Sequence, residues 1–361
     1  MIDRLSGGPY APTCSNPISR REVEPVKQLL RSLALSSVII ATSAVGARAA
    51  DFVAKIGHLE STQQSRHIHL EKVAALVAER TNGAVEFQIF PQGQLGQQRE
   101  MTEGVQLGTL EATVAPAAFL GGFNPAISIL DIPFLLPEDD TKAQDLRAGA
   151  FGQALCDSFD SRGVECLMLW PNGKKNFTSN KPLTGMGDFA GQTFRVMDSN
   201  ILIEQYKSLG ASAIALPFGE LYTSLQTGVV DAQENPLDTI RAMKFYEVQK
   251  YLVVSNHGAM EDVILFNPAF WQSLPAEHQT VITDAFAEVI PDLIAHKAAA
   301  VAASLDEIKA AGLDVRELTA EEKVSFRETM YPATRAAYVE RAGDEGATLI
   351  DLYEKEYAAT K

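Results

Sequence analysis

The sequence predicts an α/β protein of two lobes, with a crevice between them and a long helix able to span both. Three observations carry this. Segments of β-prone and helical pattern alternate on both sides of Asn172, joined by short stretches punctuated with Gly and Pro. Arg195 and Asn235 fall at the ends of predicted strands, where ligands collect in open α/β sheets. An Ala-rich helical pattern over residues 275–311 has no internal Gly or Pro except Pro291, which should kink or divide it.

With 361 residues, 46% of them hydrophobic and 21% charged, the chain suits a soluble globular protein of about two domains. A net charge of −15 and the lack of a basic stripe argue against a nucleic-acid partner. An acidic body must attract an anion locally, through a few cations in a cleft. Residues 27–50 read as an export signal: Lys27 and Arg31 flank the apolar run 33–45, and Ala47-Arg48-Ala49 is a small-x-small cleavage site. Cleavage near Ala49 or Ala50 would release the mature chain into the periplasm. The apolar run is too short and too rich in Ser, Thr and Gly to span a membrane. Residues 1–26 read as a disordered leader or a start assigned too far upstream.

Strand 52–57 leaves through a polar loop into helix 67–80, which Asn82-Gly83 closes; strand 85–90 follows. Helix 99–107 leads through Gly108 to strand 110–115 and the apolar loop 116–123, either a pocket lining or a core edge. A buried turn at 129–136, helix 143–162 and strand 164–169 open into a loop around Gly173 that carries Lys174 and Lys175. Strand 193–196 contains Arg195, and Asp198-Ser199-Asn200 supplies helix-capping types. The helix stops at Gly210; strand 211–216 ends on Pro217, helix 219–227 closes on Gly228, and strand 229–233 delivers Asn235. Helix 237–245, strands 251–254 and 261–266, the run 275–311, strand 313–315 and an acidic helical tail complete the order.

The motifs of hydrolases, zinc proteases, phosphate loops and dinucleotide folds are missing, so the sequence points to no catalytic residue and no cofactor. His67 and His69 fall on different helix faces, a poor metal pair. For Cys156 and Cys166, ten apart, the spacing fixes no geometry; the sequence favours two buried small hydrophobes, and an oxidising compartment permits a bridge. Arg195 offers a planar fork that matches a carboxylate, and Lys175 a point charge. Asn235, before a Pro, is either a helix cap or a ligand amide, and Phe218 either core or pocket wall.

Several ordered blocks resemble the extracytoplasmic substrate-binding proteins of TRAP transporters, the DctP-type receptors. They are Pro91-x-Gly93-Gln94-Leu95-Gly96, Asp131-Ile132-Pro133-Phe134, Gly191-x-x-x-Arg195-Val196, Gly219-Glu220-Leu221-Tyr222, Gln233-Glu234-Asn235-Pro236 and Tyr246-Glu247-Val248-Gln249-Lys250. The resemblance covers residues 51 to about 357. It implies a two-lobed, Venus-flytrap receptor, like other periplasmic binding proteins, that closes on a small organic acid. The receptor would deliver that acid to the small and large membrane subunits of a transporter driven by an ion gradient. It makes Arg195 the carboxylate anchor, Asn235 a second ligand contact and Phe218 a packing surface, with Lys175 as a second cation where many members carry Arg. Lys175, and Pro116 where sialate receptors carry an acidic residue, favour an acid smaller than sialic acid. The lobes expected are residues 51–172 with 261–300, and 173–260 with 301–361; His58, Glu60 and Gln94 fall near the rim of the first. A periplasmic enzyme acting on a small carboxylate, or a subunit presenting ligand to a sensor, stand as the alternatives.

Overall fold

Hydrophobic alternation in short segments and periodic helices between them build one mixed sheet with helices on its faces. The structure, a computed structural model, describes residues 49–359; the predicted leader and nearly all of the export signal lie outside the described residues. In chain order the elements are β1 (Phe52–Gly57), α1 (Ser65–Arg80), β2 (Val85–Phe90), α2 (Gln98–Leu107), β3 (Ala112–Pro116), α3 (Asp140–Ala148), α4 (Ala150–Asp157) and β4 (Glu165–Ser179). Then come β5 (Thr193–Val196), α5 (Asn200–Ser208), β6 (Ser212–Ala215), α6 (Leu221–Thr227), β7 (Ala232–Asn235), α7 (Leu237–Ala242) and β8 (Tyr251–Phe266). Last are α8 (Pro268–Ser273), α9 (Ala276–Glu288), α10 (Ile290–Ala310), β9 (Asp314–Glu317) and α11 (Ala320–Ala359).

The strand order is β2-β1-β3-β8-β4-β7-β5-β6, with β9 beside β8. β1 runs parallel to β2 and β3, and β5 parallel to β6 and β7, as short α/β connections require. The two sets are joined by β4 and β8, which pair antiparallel to each other. Residues 262–266 of β8 pair with β3, while residues 251–254 pair with β9, and residues 176–179 of β4 pair with β7. β8 therefore carries the first set and β4 the second, and the two sets meet through the β4–β8 pairing.

Here the structure corrects the sequence reading. The expected loop at Gly173 and the gap between strands 251–254 and 261–266 are continuous strand. Pro171, Gly173 and Asn176 look like strand breakers, but the register of β4 against β8 shifts between Cys166 and Met168, Pro171 and Gly173, and Lys175 and Phe177. Bulges absorb such residues and bend the strand without ending it. Gly258 has its own reason: a Cβ there would lie 2.7 Å from Cε of Lys175.

The expected helix 143–162 is broken at Gly149 into α3 and α4, followed by a 3-10 turn at Asp160–Arg162. The run 275–311 is divided as Pro291 required, with that proline in the first turn of α10. α10 packs on α1, on α7 and on β4, so it touches elements beside both strand sets. α11, with a non-helical Gly343 inside it, also reaches both: Phe326 stacks on Phe177 with ring centroids 6.2 Å apart, and the Tyr338 hydroxyl donates to the Ala126 carbonyl at 3.0 Å. Cys156 and Cys166 are disulfide-bonded. The reading as two separate small hydrophobes is thereby corrected; the turn after α4 brings the strand start back to the helix end, with Cα atoms 5.0 Å apart.

Candidate functional site

Arg195, the anchor expected from the sequence, lies on β5 behind the wall of the candidate site. β5 lies inside the sheet, so its side chains have little access to water, and Arg195 is 1% exposed. Its Nε and Nη2 donate to the Leu216 carbonyl at 2.9 and 2.7 Å, and Cζ lies 5.7 Å from the centre of the Phe119 ring. Burial pulls its pKa down to about 10 against the pull of Glu234, so the guanidinium is still a cation at neutral pH. Among the described residues no carboxylate lies within ion-pair distance of it. A buried, unpaired charge is costly, and an arrangement that tolerates one is suited to an incoming anion.

Two cavities share the Phe119 ring that Arg195 faces, although Arg195 itself lines neither. The inner one, about 20 Å³, is lined by Glu60, Arg66, Asn172, Asn235 and Thr239 with the Phe119 and Phe218 rings. A water needs some 10–15 Å³, so this space holds about one, and an organic acid requires its walls to part. The outer cavity, about 250 Å³, shares Leu59, Phe119 and Phe218 with the inner one and includes Leu216. Gln97, Arg99 and Asp198 also line the outer cavity.

Around the inner cavity is a charge network drawn from five elements and one loop. Arg66, at the start of α1, grips Asp262 of β8 through Nε and Nη2, both at 2.6 Å, and lies 3.5 Å from Glu60 in the loop after β1. Asn172 of β4 donates to Asp262 at 3.0 Å and accepts from Lys297 of α10 at 2.9 Å; Lys297 pairs with Asp238 of α7 at 2.6 Å. Burial pushes the Glu60 carboxyl upward, but Arg66 and Lys297 outweigh it and hold the group below its ordinary range. Burial, with Arg66 beside it, lowers His58 to about 3, so that ring is neutral.

A second buried cluster centres on Glu234. Lys175 lies 2.8 Å from it, and His257 Nε2, the Tyr206 hydroxyl and the Gln205 amide stand at 2.9, 2.7 and 2.7 Å. Burial opposes its ionisation, yet Lys175 and His257 carry the carboxyl far below the usual range. Nearby Asp131 is pushed up to about 6 by burial.

Of the residues singled out from sequence, Phe218 lines both cavities and Asn235 the inner one; Arg195 lines neither and reaches their walls only through the Phe119 ring and the Leu216 carbonyl, and Lys175 stands apart. Its ammonium is engaged by Glu234 and lines neither cavity. The cation on the inner wall is Arg66. Asn235 is not a helix cap: Pro236 holds that position, and the Asn235 amide donates to the Gln233 side chain. Pro116 and Phe119 put the apolar loop on the pocket wall. Sequence reasoning missed Arg66, Asn172 and Thr239. Arg66 had a signal, since a cation in the first turn of a helix opposes the helix dipole and implies a tether elsewhere. Among the described residues no group of three or more His, Cys, Asp or Glu is placed to hold a metal, and no helix is long and apolar enough to cross a membrane.

A family model described as bacterial extracellular solute-binding protein, family 7, DctP, matches residues 56–341. The chain belongs to this family. The C4-dicarboxylate-binding periplasmic protein DctP of Rhodobacter capsulatus is 32% identical over 324 residues, 88% of this chain and 96% of that protein. The crystal structure of a TRAP periplasmic solute-binding protein from Desulfovibrio salexigens with bound orotic acid is 64% identical, with a TM-score of 0.85 over 86% of this chain and all (100%) of that one. The ectoine-binding protein of the TeaABC TRAP transporter of Halomonas elongata is 28% identical, with a TM-score of 0.81 over 85% of this chain and 99% of that one. These DctP-family relatives are substrate-binding receptors, and a periplasmic location is characteristic of the family.

Proposed function

We propose that this chain is the periplasmic receptor of a TRAP-type transporter, closing on one small organic acid and handing it to the small and large membrane subunits. The observation that carries the reading is Arg195: a buried guanidinium beside the cavities, held by a backbone carbonyl and matched by no carboxylate among the described residues. Two parallel charge-assisted hydrogen bonds to a ligand carboxylate would complete it. Asn235 supplies an amide on the inner wall, and the Phe119 and Phe218 rings supply apolar faces. A planar cyclic acid of the orotate kind suits such walls, and the relative at 64% identity carries orotic acid.

Calorimetry on the purified mature chain with orotate, succinate, ectoine and galactonate tests this. The expected result is saturable binding of one acid per chain, orotate tightest, with the acid recovered unchanged. Conversion of the acid would instead mean a periplasmic enzyme, and binding of none would overturn the reading.

A further inference from the structure

We infer that a cavity behind β4 and β8, on the face of these strands turned away from the inner cavity, is a second small-molecule site. It takes a neutral compound with a flat apolar body and one hydrogen-bond-accepting head. The site goes beyond the receptor reading and does not depend on it. The cavity measures about 280 Å³, more than either cavity beside Phe119, and ordinary small-molecule sites begin near about 300 Å³. Successive residues of a strand face opposite sides, and that alternation separates the two places. Asn172 and Met260 line the inner cavity, whereas Pro171, Gly173, Ala259 and Glu261 line this one. A guest in one therefore leaves the other free.

The remaining walls are largely apolar, with Ala143 from α3 and Ile294, Ala298 and Val301 from α10. The charges at the cavity are already matched one to one. Arg147 grips Glu261 through Nε and Nη2 at 2.5 and 2.9 Å, and Lys174 lies 3.2 Å from Asp140. Lys297, whose stem runs beside Gly173, turns its ammonium to Asp238 at 2.6 Å. A guest ion of either sign would lose its water and meet no unpaired counter-charge, which is costly. Donors, by contrast, are left over. Arg147 spends Nε and Nη2 on Glu261 and Nη1 on Gln144, while an arginine carries five N–H groups. Those that remain suit an acceptor such as an amide or ketone oxygen. Asp140 and Ala298 are exposed, so the cavity opens to solvent on their side.

The probe is 2-naphthamide, a pair of fused rings with a neutral carbonyl head, titrated by calorimetry into the purified mature chain. Saturable binding at one per chain is expected. Ala298→Trp, at an exposed position of α10, sets an indole over the cavity and should weaken that binding by about tenfold or more, with the thermal midpoint of the ligand-free protein unchanged. 2-Naphthoate and 2-naphthylmethylammonium carry the same rings with a charge of either sign, and each should bind this cavity about tenfold or more weaker than the amide. No saturable binding of 2-naphthamide would overturn the site. So would binding that Ala298→Trp leaves within about threefold of the parent, which puts the probe elsewhere. A naphthoate that binds as tightly as the amide, and is lost in Ala298→Trp, would overturn the neutral class. If Ala298→Trp does not fold, Val301→Trp on the same wall takes its place. Orotate titrated into the same samples separates the two readings. Binding of 2-naphthamide with no acid bound removes the receptor and keeps this site, and the reverse removes this site and keeps the receptor.

Discussion

Arg195 shows what a single side chain can carry here. Truncating one partner of a buried, hydrogen-bonded charge pair costs about 2–5 kcal/mol, because the other charge is left unpaired. Arg195→Ala should therefore weaken acid binding by roughly 30-fold to several thousand-fold in calorimetry, and Arg195→Lys should recover only part, since an ammonium cannot reproduce the fork. Loss within threefold would place the anchor elsewhere. Lys175 predicts the opposite pattern. Its removal strands the Glu234 carboxylate in a buried site, so Lys175→Ala should cost about 3–5 kcal/mol in urea unfolding, a loss of fold stability that precedes any loss of ligand contact. Asp131 gives a pH signature. Its folded pKa of about 6 lies above the unfolded value near 3.8, so the protonated form is favoured in the fold. Its contribution is fully present below the unfolded value and is lost as pH rises through the folded one. The stability of Asp131→Asn relative to the parent should thus rise by about 2 kcal/mol between pH 4 and pH 7, and a flat difference would refute it. Asn235 and Phe218 sit in recognisable blocks at or just beyond strand ends, and both reach the inner cavity wall. The sequence placed Glu60 only near a lobe rim, because its charge partners Arg66, Asn172 and Lys297 arrive from α1, β4 and α10.

At the scale of elements, strands and helices with a clean period were readable, and those that violate local rules were not. β1, β2 and β5 were expected within a residue or two, and the split at Pro291 followed from proline chemistry. β4 and β8 escaped because Pro171, Gly173 and Gly258 are punctuation in sequence and bulge residues in the sheet, a distinction made only by the partner strand. The disulfide escaped for the same reason: ten residues between Cys156 and Cys166 say nothing of the turn that returns β4 to the end of α4. A crosslink closing so short a loop removes about 2–3 kcal/mol of unfolded-chain entropy. The Cys156→Ala, Cys166→Ala double variant should therefore unfold at lower urea, by about that amount, with the acid-binding constant little changed, since neither cysteine lines either cavity. An unchanged midpoint would mean that the bridge acts after folding without stabilising it.

For the whole molecule, the question is how an acid reaches a space now fit for one water. We propose that the lobes, residues 51–172 with 261–300 and 173–260 with 301–361, part and close around the ligand. Glu60, Arg66 and Pro116 belong to one and Arg195, Phe218 and Asn235 to the other, so ligand contacts shared between them favour the closed state. The joints available are β4 and β8, whose register shifts at Pro171 and at Lys175 mark where a strand bends without losing its ladder. α10 must follow the motion, because Lys297 holds Asn172 and Asp238 together, and α11 resists it, because Tyr338 and Phe326 grip opposite sets. Severing the first tie should loosen the closed state. Lys297→Met keeps the apolar stem and removes the ammonium, leaving Asp238 unpaired. Solution scattering on the parent should give a smaller radius of gyration with saturating orotate than without it, and the ligand-free variant should be more expanded than the ligand-free parent. A radius that does not change at saturation, in a sample shown by calorimetry to be occupied, would mean that the acid enters by side-chain movement at Phe218 and Phe119 alone, with the lobes fixed.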